Sequence, residues 1–463
     1  MPKLSLPDAT ELRHQIESGQ RTAESVVVEH LDRLEANQSR LNGAVKIFRE
    51  QAIEEARSPR PGSLSGIPIS VKETFGMAGE TITVGSKLRP PTYCHEDSAI
   101  VHRLREAGAI IIARSNIPEM ALAGEAENPL YGRSNNPLDP ERTCGGSSGG
   151  EGTLVGSGST VLGVGSDVLG SIRIPAAFCG VVGFKPTSGT VPNAGTWPNL
   201  GDAFTADWLA LGPITRSVRD ARLVYNAIAD SPLPPVNPDL NGLRLIIPQG
   251  FEMIIDTDCI KAALVEAQTV LEVEGMVAEE RPFPNIGQLF TYLQQMIAHD
   301  FEPLAYQELT TADGQEFSVV AELARQAIGQ PTIYSGLFQL LLAAPLIRPR
   351  SQKQVETAVS AIRAARTHYQ EMLGQDGIIL LPTMGKLAPK HGQMNRSSLR
   401  PGVIGQMTSL TLPNYLNFPA ISLPAWTDVD EATGLPASVM LVSAPGTEAR
   451  LLDAAAILEE AIG

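Results

Sequence analysis

Two glycine-bounded clusters place hydroxyl groups and backbone amides in one short span: Gly145-Gly-Ser147-Ser148-Gly-Gly150 and Asp167-Val-Leu-Gly170-Ser171-Ile-Arg173-Ile-Pro175. A Gly-rich turn ahead of a helix exposes N–H groups and lets a ligand approach the backbone. The same composition also describes a flexible loop, which on composition alone is the simpler reading. A phosphate-binding loop needs a lysine after its last glycine. Here Gly150 runs into Glu151, whose charge repels phosphate. Gly145 to Gly149 satisfies the G-x-S-x-G elbow formally, but the elbow needs an apolar strand before it, and Pro137 to Thr143 reads as loop. A third chemistry uses lysine as the base for a serine nucleophile. Only nine lysines stand against 27 arginines, and Lys72 is set between Ile67-Pro-Ile-Ser-Val71 and Phe75-Gly-Met77. Apolar surroundings lower the pKa of an ammonium toward the range a general base needs. A lysine snorkelling to water from a strand end is the competing reading. No S-x-x-K occurs, which excludes a β-lactamase-type site. The seven histidines show no HExxH spacing; His14, His30, His102 and His368 are expected on partly exposed helix faces.

The elements that must carry these residues alternate. Asp8-Ala-Thr-Glu11 is a capping box opening a helix that Gly19 closes, and a second helix is expected from Thr22 to Ala36. Ala44 to Phe48, Ile67 to Lys72 and Ala109 to Ala113 read as strands, with helices at 49–56 and 97–107. Ser217 opens a helix to about Ala229, and Leu243 to Ile247 and Ile378 to Leu381 read as buried strands. The segment between them, about 256–373, is helical in period. Its aromatic residues Phe290, Tyr292, Phe301, Tyr306, Phe317, Tyr334 and Phe338 read mainly as helix core, some of them as a mobile wall. Strands at 420–423 and 438–442 and a helix from Thr447 close the chain. This strand–helix alternation predicts an α/β fold with both sheet faces covered.

The chain has 463 residues, 43% of them hydrophobic, enough for a sizeable core. A net charge of −15 argues against a nucleic-acid partner, which needs clustered Lys and Arg. The four cysteines form no CxxC and read as free thiols of a reduced, cytoplasmic protein. No apolar segment precedes Gln15 as a signal peptide would, and the apolar run 336–347 falls short of the roughly 20 residues of a membrane span.

Taken together, Gly66-Ile-Pro-Ile-Ser-Val-Lys72, Gly145 to Gly150, Ser171-Ile-Arg-Ile-Pro-Ala176, Gly183-Phe-Lys-Pro-Thr187 and Gly212-Pro-Ile-Thr-Arg-Ser-Val-Arg-Asp220 resemble the amidase signature family. Gly150-Glu151-Gly152 and Phe178-Cys179-Gly180 are similar to its fatty-acid-amide-hydrolase-like branch, and the length to soluble bacterial urethanases. The resemblance implies an amidase signature fold, a central mixed, twisted sheet covered by helices on both faces. It implies one domain over 1–463, with a signature core at about 66–220 and a helical insertion at about 256–373.

It also implies the chemistry. Ser171 would be the nucleophile, Ser147 the bridging serine behind a cis Gly146–Ser147 peptide, and Lys72 the base. The backbone N–H groups of Val168, Leu169, Gly170 and Ser171 would form an oxyanion hole at the start of a helix opened by Ser171. Ala121, Leu122, Gly124 and Ser148 would bind substrate. Asp167 and Arg173 read as braces of the loop. Leu169 stands where the family usually has glycine, and is expected to narrow the pocket rather than to adopt a left-handed backbone. The implied activity is hydrolysis of amides and carbamates, with esters as further substrates, by an enzyme without metal or cofactor. Its partner is a small-molecule substrate; no stable membrane anchor is expected, and the chain would be a monomer or homodimer. The alternatives are the amidase component of a tRNA-dependent amidotransferase, a fatty acid amide hydrolase, and a non-catalytic binding protein that lost its oxyanion hole at Leu169.

Overall fold

The structure is a computed structural model that describes residues 5–250, 254–309, 316–394 and 401–463. Eleven strands form one mixed sheet. Their order is 44–47, 110–115, 68–72, 162–167, 210–215, 182–185, 420–429, 436–443, 377–382, 244–249 and 277–282. Pro68–Lys72 runs parallel to both neighbours, Ile110–Ser115 and Leu162–Asp167. The middle of the sheet is antiparallel, and parallel pairing returns at the far edge, where Arg244–Gln249 lies between Gly377–Pro382 and Val277–Pro282.

Alternation along the strands shows why both faces are covered. In Gly377–Pro382, Ile378 and Leu380 join one core and Ile379 and Leu381 the other. In Pro436–Ser443, Val439 and Leu441 face the first core and Met440 and Val442 the second. A strand buried on both faces reads as continuously apolar, as these do. Helices Val218–Ile228, Asp258–Val273 and Glu448–Ile462 cover the first face; Ile286–Glu308 and Gln352–Leu373 cover the second.

Near the site this pattern breaks. Ile69 and Val71 go to the apolar core, so Ser70 and Lys72 share the opposite face. The adjoining strand pairs Ser70 with Gly163 and continues through Gly165, leaving that strip of sheet without side chains. Helix Gly149–Gly156 uses the space. The Glu151 carboxyl and the Ser148 hydroxyl occupy the positions where Cβ atoms of Gly163 and Gly165 would fall.

Several elements differ from the expectations. The second helix runs to Leu41, because Leu41 is buried and Asn42 caps it in a left-handed conformation (φ 48°). The Gly/Ser-dense stretch contains the strands Leu162–Asp167 and Val182–Lys185; with Ala210–Thr215 they make the middle of the sheet. Glycine suppresses a strand signal in sequence, yet here it gives a packed helix room to approach. The helical segment 256–373 contains an edge strand, Val277–Pro282, whose mostly exposed polar residues suit an edge; residues 310–315 of that segment lie outside the described residues. Helix Pro401–Tyr415 had no sequence signal. Its glycines, threonines and Pro413 depress helix propensity, while Leu410, Leu412 and Tyr415 are fully buried, so packing overrides propensity. His30 is a correction: it is buried, not partly exposed. Its Nδ1 lies 2.8 Å from the Val26 carbonyl, and burial pushes its pKa down to about 4.

Candidate active site

Lys72 ends a strand whose five residues are all buried, and its own side chain is fully enclosed. Its Nζ lies 2.7 Å from Ser147 Oγ and 2.9 Å from Ser166 Oγ. Burial pushes its pKa down to about 7, against the upward pull of the Asp167 and Glu151 charges. Lys185 is a second buried lysine, also pushed down to about 7 by burial. It spends its protons on the carbonyls of Pro186 and Phe418, at 3.0 and 2.8 Å, and therefore reads as structural.

Ser147 follows a cis Gly146–Ser147 peptide and precedes helix Gly149–Gly156. Ser147, Ser166 and Ser171 all line one cavity. Among the described residues Ser171 Oγ makes no hydrogen bond, to Ser147 or otherwise. Ser171 does not open a helix, contrary to the expectation. The short helix is Arg173–Cys179, because Asp167 Oδ2 accepts from the Ile172 N–H at 3.1 Å and holds residues 168–172 as a loop. The four expected oxyanion donors separate accordingly. The Gly170 N–H donates to Asp167 Oδ1 at 2.7 Å and is directed away from the cavity's chemistry. Those of Val168, Leu169 and Ser171 have no partner among the described residues. Val168 follows the end of strand Leu162–Asp167, and its side chain, like that of Leu169, lines the cavity. Leu169 is outside the left-handed region; the adjoining Gly170 takes φ 96°, and a Cβ there would sit 2.6 Å from Leu410.

Asp167 and Arg173 are fully buried and paired, Nη2 to Oδ1 and Nε to Oδ2 at 3.1 Å each. Burial alone would raise the Asp167 carboxyl; the Arg173 charge and hydrogen bonds, with Lys185 and Asn414, hold it below the usual range. Arg173 also reaches the Leu410 carbonyl at 2.5 Å and Asn414 Oδ1 at 2.6 Å, tying the loop to helix Pro401–Tyr415.

Ala121, Leu122 and Gly124 line the cavity. Ser148 does not, a correction: it is fully buried, turned to the sheet, and donates to the Ser166 carbonyl at 3.4 Å. Sequence reasoning missed Ser166 and Asn414. Ser166 carried a weak signal, a hydroxyl one residue before the brace Asp167; Asn414 carried none, since 241 positions separate it from Arg173.

The cavity has a volume of about 290 Å³. Phe290, Leu293, Ile297 and Phe301 of helix Ile286–Glu308 form one wall, and Leu340, Ala343 and Ile347 of helix Ser335–Ile347 another. Glu119 joins that second wall to the floor: Oε2 accepts from Tyr334 N at 2.6 Å and Oε1 from Ser86 Oγ at 2.7 Å. Among the described residues lining the cavity, no side chain is charged. No cluster of three or more metal-ligating side chains occurs among the described residues, and no helix there is long and apolar enough to cross a membrane.

The sequence profile of the Amidase family matches residues 25–452. The chain belongs to the amidase signature family of carbon–nitrogen hydrolases. Its fold is the α/β fold of that family. A solved structure described as an amidase superposes with a TM-score of 0.83 at 27% identity, covering 99% of this chain and 100% of the other. Among curated relatives of this amidase-family chain, the glutamyl-tRNA(Gln) amidotransferase A-subunit of Carboxydothermus hydrogenoformans is 32% identical over 299 residues. That match covers 60% of this chain and 61% of the relative, so it spans about three fifths of the relative's length. Fatty-acid amide hydrolase 2-B from Danio rerio is 30% identical over 420 residues, covering 84% of this chain and 78% of that protein.

Proposed function

We propose that the chain hydrolyses neutral amides and carbamates with bulky apolar groups, using Ser171 as nucleophile, Ser147 as relay and Lys72 as base. The observation that carries this reading is the 2.7 Å contact between a fully buried Lys72 amine and Ser147 Oγ, on the wall of the cavity that Ser171 also lines. Ser171 Oγ attacks the carbonyl carbon. Its proton passes to Ser147, and the Ser147 proton to Lys72. The Val168, Leu169 and Ser171 N–H groups are the donors left for the oxyanion. The proton then returns to the substrate nitrogen, the C–N bond breaks, and the amine leaves. Water cleaves the acyl-enzyme through the same relay. A carbamate that acylates Ser171 through its carbonyl leaves a carbonate ester on the serine, and its hydrolysis frees a carbonic half-ester that loses carbon dioxide to yield an alcohol.

The lining supports apolar substrates. A zwitterionic amino acid would bury two charges with no oppositely charged side chain on the described walls, a costly arrangement. The test is a panel assayed with the purified chain alone: anilides of increasing acyl length, a small dicarbamate, and glutamine. Rising kcat/KM with apolar length is expected, by several-fold per added methylene. Turnover of glutamine in preference to every anilide would reverse the assignment. That result would favour the second reading, a component of an amidotransferase that works with partner proteins. Its support is the glutamyl-tRNA(Gln) amidotransferase A-subunit of Oleidesulfovibrio alaskensis, 28% identical over 100% of this chain and 99% of that one.

The base sets the pH dependence. Lys72 must be neutral to accept a proton, and its pKa is pushed down to about 7. The neutral fraction grows as pH rises through that value, so kcat/KM is expected to climb between pH 6 and 8 and then level. A flat or falling profile over this range, in folded enzyme, would remove Lys72 from the role.

A further inference from the structure

Two wall residues of the cavity break the pattern of the helices that carry them. On helix Ile286–Glu308, Phe290, Ile297 and Phe301 line the cavity, and Gln294 lies among them on the same wall. On helix Ser335–Ile347 the lining stripe is Gly336, Leu340, Ala343 and Ile347, with Gln339 set into it. Residues three and four apart share a helix face, so each carboxamide stands in a row that is otherwise apolar. A polar residue where the period calls for an apolar one is expected where function overrides packing.

Other polar side chains on the cavity are already engaged. Ser147 and Ser166 contact Lys72, and Thr411 donates to the Met407 carbonyl at 3.0 Å. Neither glutamine makes a hydrogen bond among the described residues, to the other or to anything else. Gln339 Oε1 is enclosed and unpartnered, and so is Nε1 of Trp197, which lines the same cavity and is 6% exposed. Leaving such groups unpaired is unfavourable, and a ligand that pairs with them removes that penalty. The last side-chain torsion of glutamine is soft, so a turn of the amide presents either of its polar atoms to the cavity.

Resting on the amide and carbamate hydrolysis proposed above, we propose that Gln294 and Gln339 form a polar subsite for a second amide or carbamate of the substrate, so that the preferred substrates are bifunctional. A carboxamide carries a C=O acceptor and N–H donors. A secondary amide or carbamate carries one of each, and the two pair in both directions. An ether or an ester offers no donor and leaves the glutamine carbonyls unpaired. The occupant is neutral, because no charged side chain lines the described walls. A purely apolar cavity gives the opposite ranking. There, an amide moved out of water finds no partner, so replacing two methylenes of an acyl chain by –C(O)–NH– lowers kcat/KM wherever it is placed. With the subsite, one placement is favoured.

The test uses the full-length chain and a set of anilides of one acyl length, in which –C(O)–NH– replaces two methylenes at successive positions. Wild type is expected to favour one placement over the all-methylene anilide in kcat/KM, chiefly through KM. Gln339→Met and Gln294→Met keep the length of the side chain and remove its hydrogen bonds. Each should narrow that preference by about three- to ten-fold, the worth of one net hydrogen bond. An all-methylene anilide that outruns every internal amide in wild type would overturn the proposal. So would a preference that neither substitution narrows, with both substrates slowed by the same factor, since the glutamines would then serve packing alone. If one variant does not fold, the other variant and the wild-type ranking decide in the same way. Turnover of the all-methylene anilide with no favoured placement sinks this inference alone; turnover of no anilide and no carbamate sinks the proposed function beneath it.

Discussion

Ser171→Ala is expected to lower kcat/KM on a small anilide by at least about 10⁴-fold at pH 8, with the circular dichroism spectrum unchanged. The side chain to be removed makes no hydrogen bond among the described residues, so nothing structural rests on its hydroxyl. Its backbone carbonyl accepts from the Ser148 N–H at 3.1 Å, and that contact survives the substitution. Loss of turnover would therefore report on chemistry. Lys72→Ala should fall by a comparable amount, and the double variant little further, because members of one relay act as a unit. Residual activity within ten-fold of wild type in Ser171→Ala would end the nucleophile assignment. It would move attention to Ser147 or Ser166, the other serines lining the cavity among the described residues.

Asp167→Ala carries the largest expected effect on stability. The substitution strands a fully buried Arg173 guanidinium, and breaking a buried pair from one side costs about 3–5 kcal/mol. It also releases the Gly170 and Ile172 N–H groups and the Asn414 amide, which donates to Asp167 at 2.8 Å. The loop that carries Ser171 loses its anchor in the same stroke. Activity should fall together with the urea midpoint. Because Arg173 holds the Asp167 pKa below its unfolded value, this contribution is present above the ordinary carboxylate range. It is lost as pH falls through the lowered value, so wild type should weaken in acid more steeply than Asp167→Asn. A shift in the urea midpoint worth less than about 1 kcal/mol for Asp167→Ala would show that the brace is not one.

The same residues separate what could be read from the chain from what could not. The periodic elements were legible: the capped first helix, the strand before Lys72, and the apolar strands at 244–249, 377–382 and 436–443. Apolar alternation and capping are local signals, and burial on both faces writes them strongly. Lys72, Ser147 and Ser171 were marked by the resemblance of the ordered motifs around them to the amidase signature family; their residue types alone left a flexible loop and a strand-end lysine as the simpler readings. The strands 162–167 and 182–185 were hidden by their glycines, whose purpose is the close approach of helix Gly149–Gly156. Helix Pro401–Tyr415 was hidden because its propensity is poor and its burial, which stabilises it, is long-range.

The sequence alone determined the class of fold, and its resemblance to the amidase signature family named the groups proposed to react. The first follows from the alternation of strands and helices, the second from ordered motifs. Tertiary structure alone decided the environment. It enclosed Lys72, turned Ser148 away from the cavity, assigned the Gly170 N–H to Asp167, and brought Ser166 and Asn414 to residues they are remote from in the chain. Desolvation, hydrogen-bond allocation and the shape of a cavity are sums over neighbours contributed by distant segments. No local pattern encodes them, and they exist only once the sheet has closed around the site.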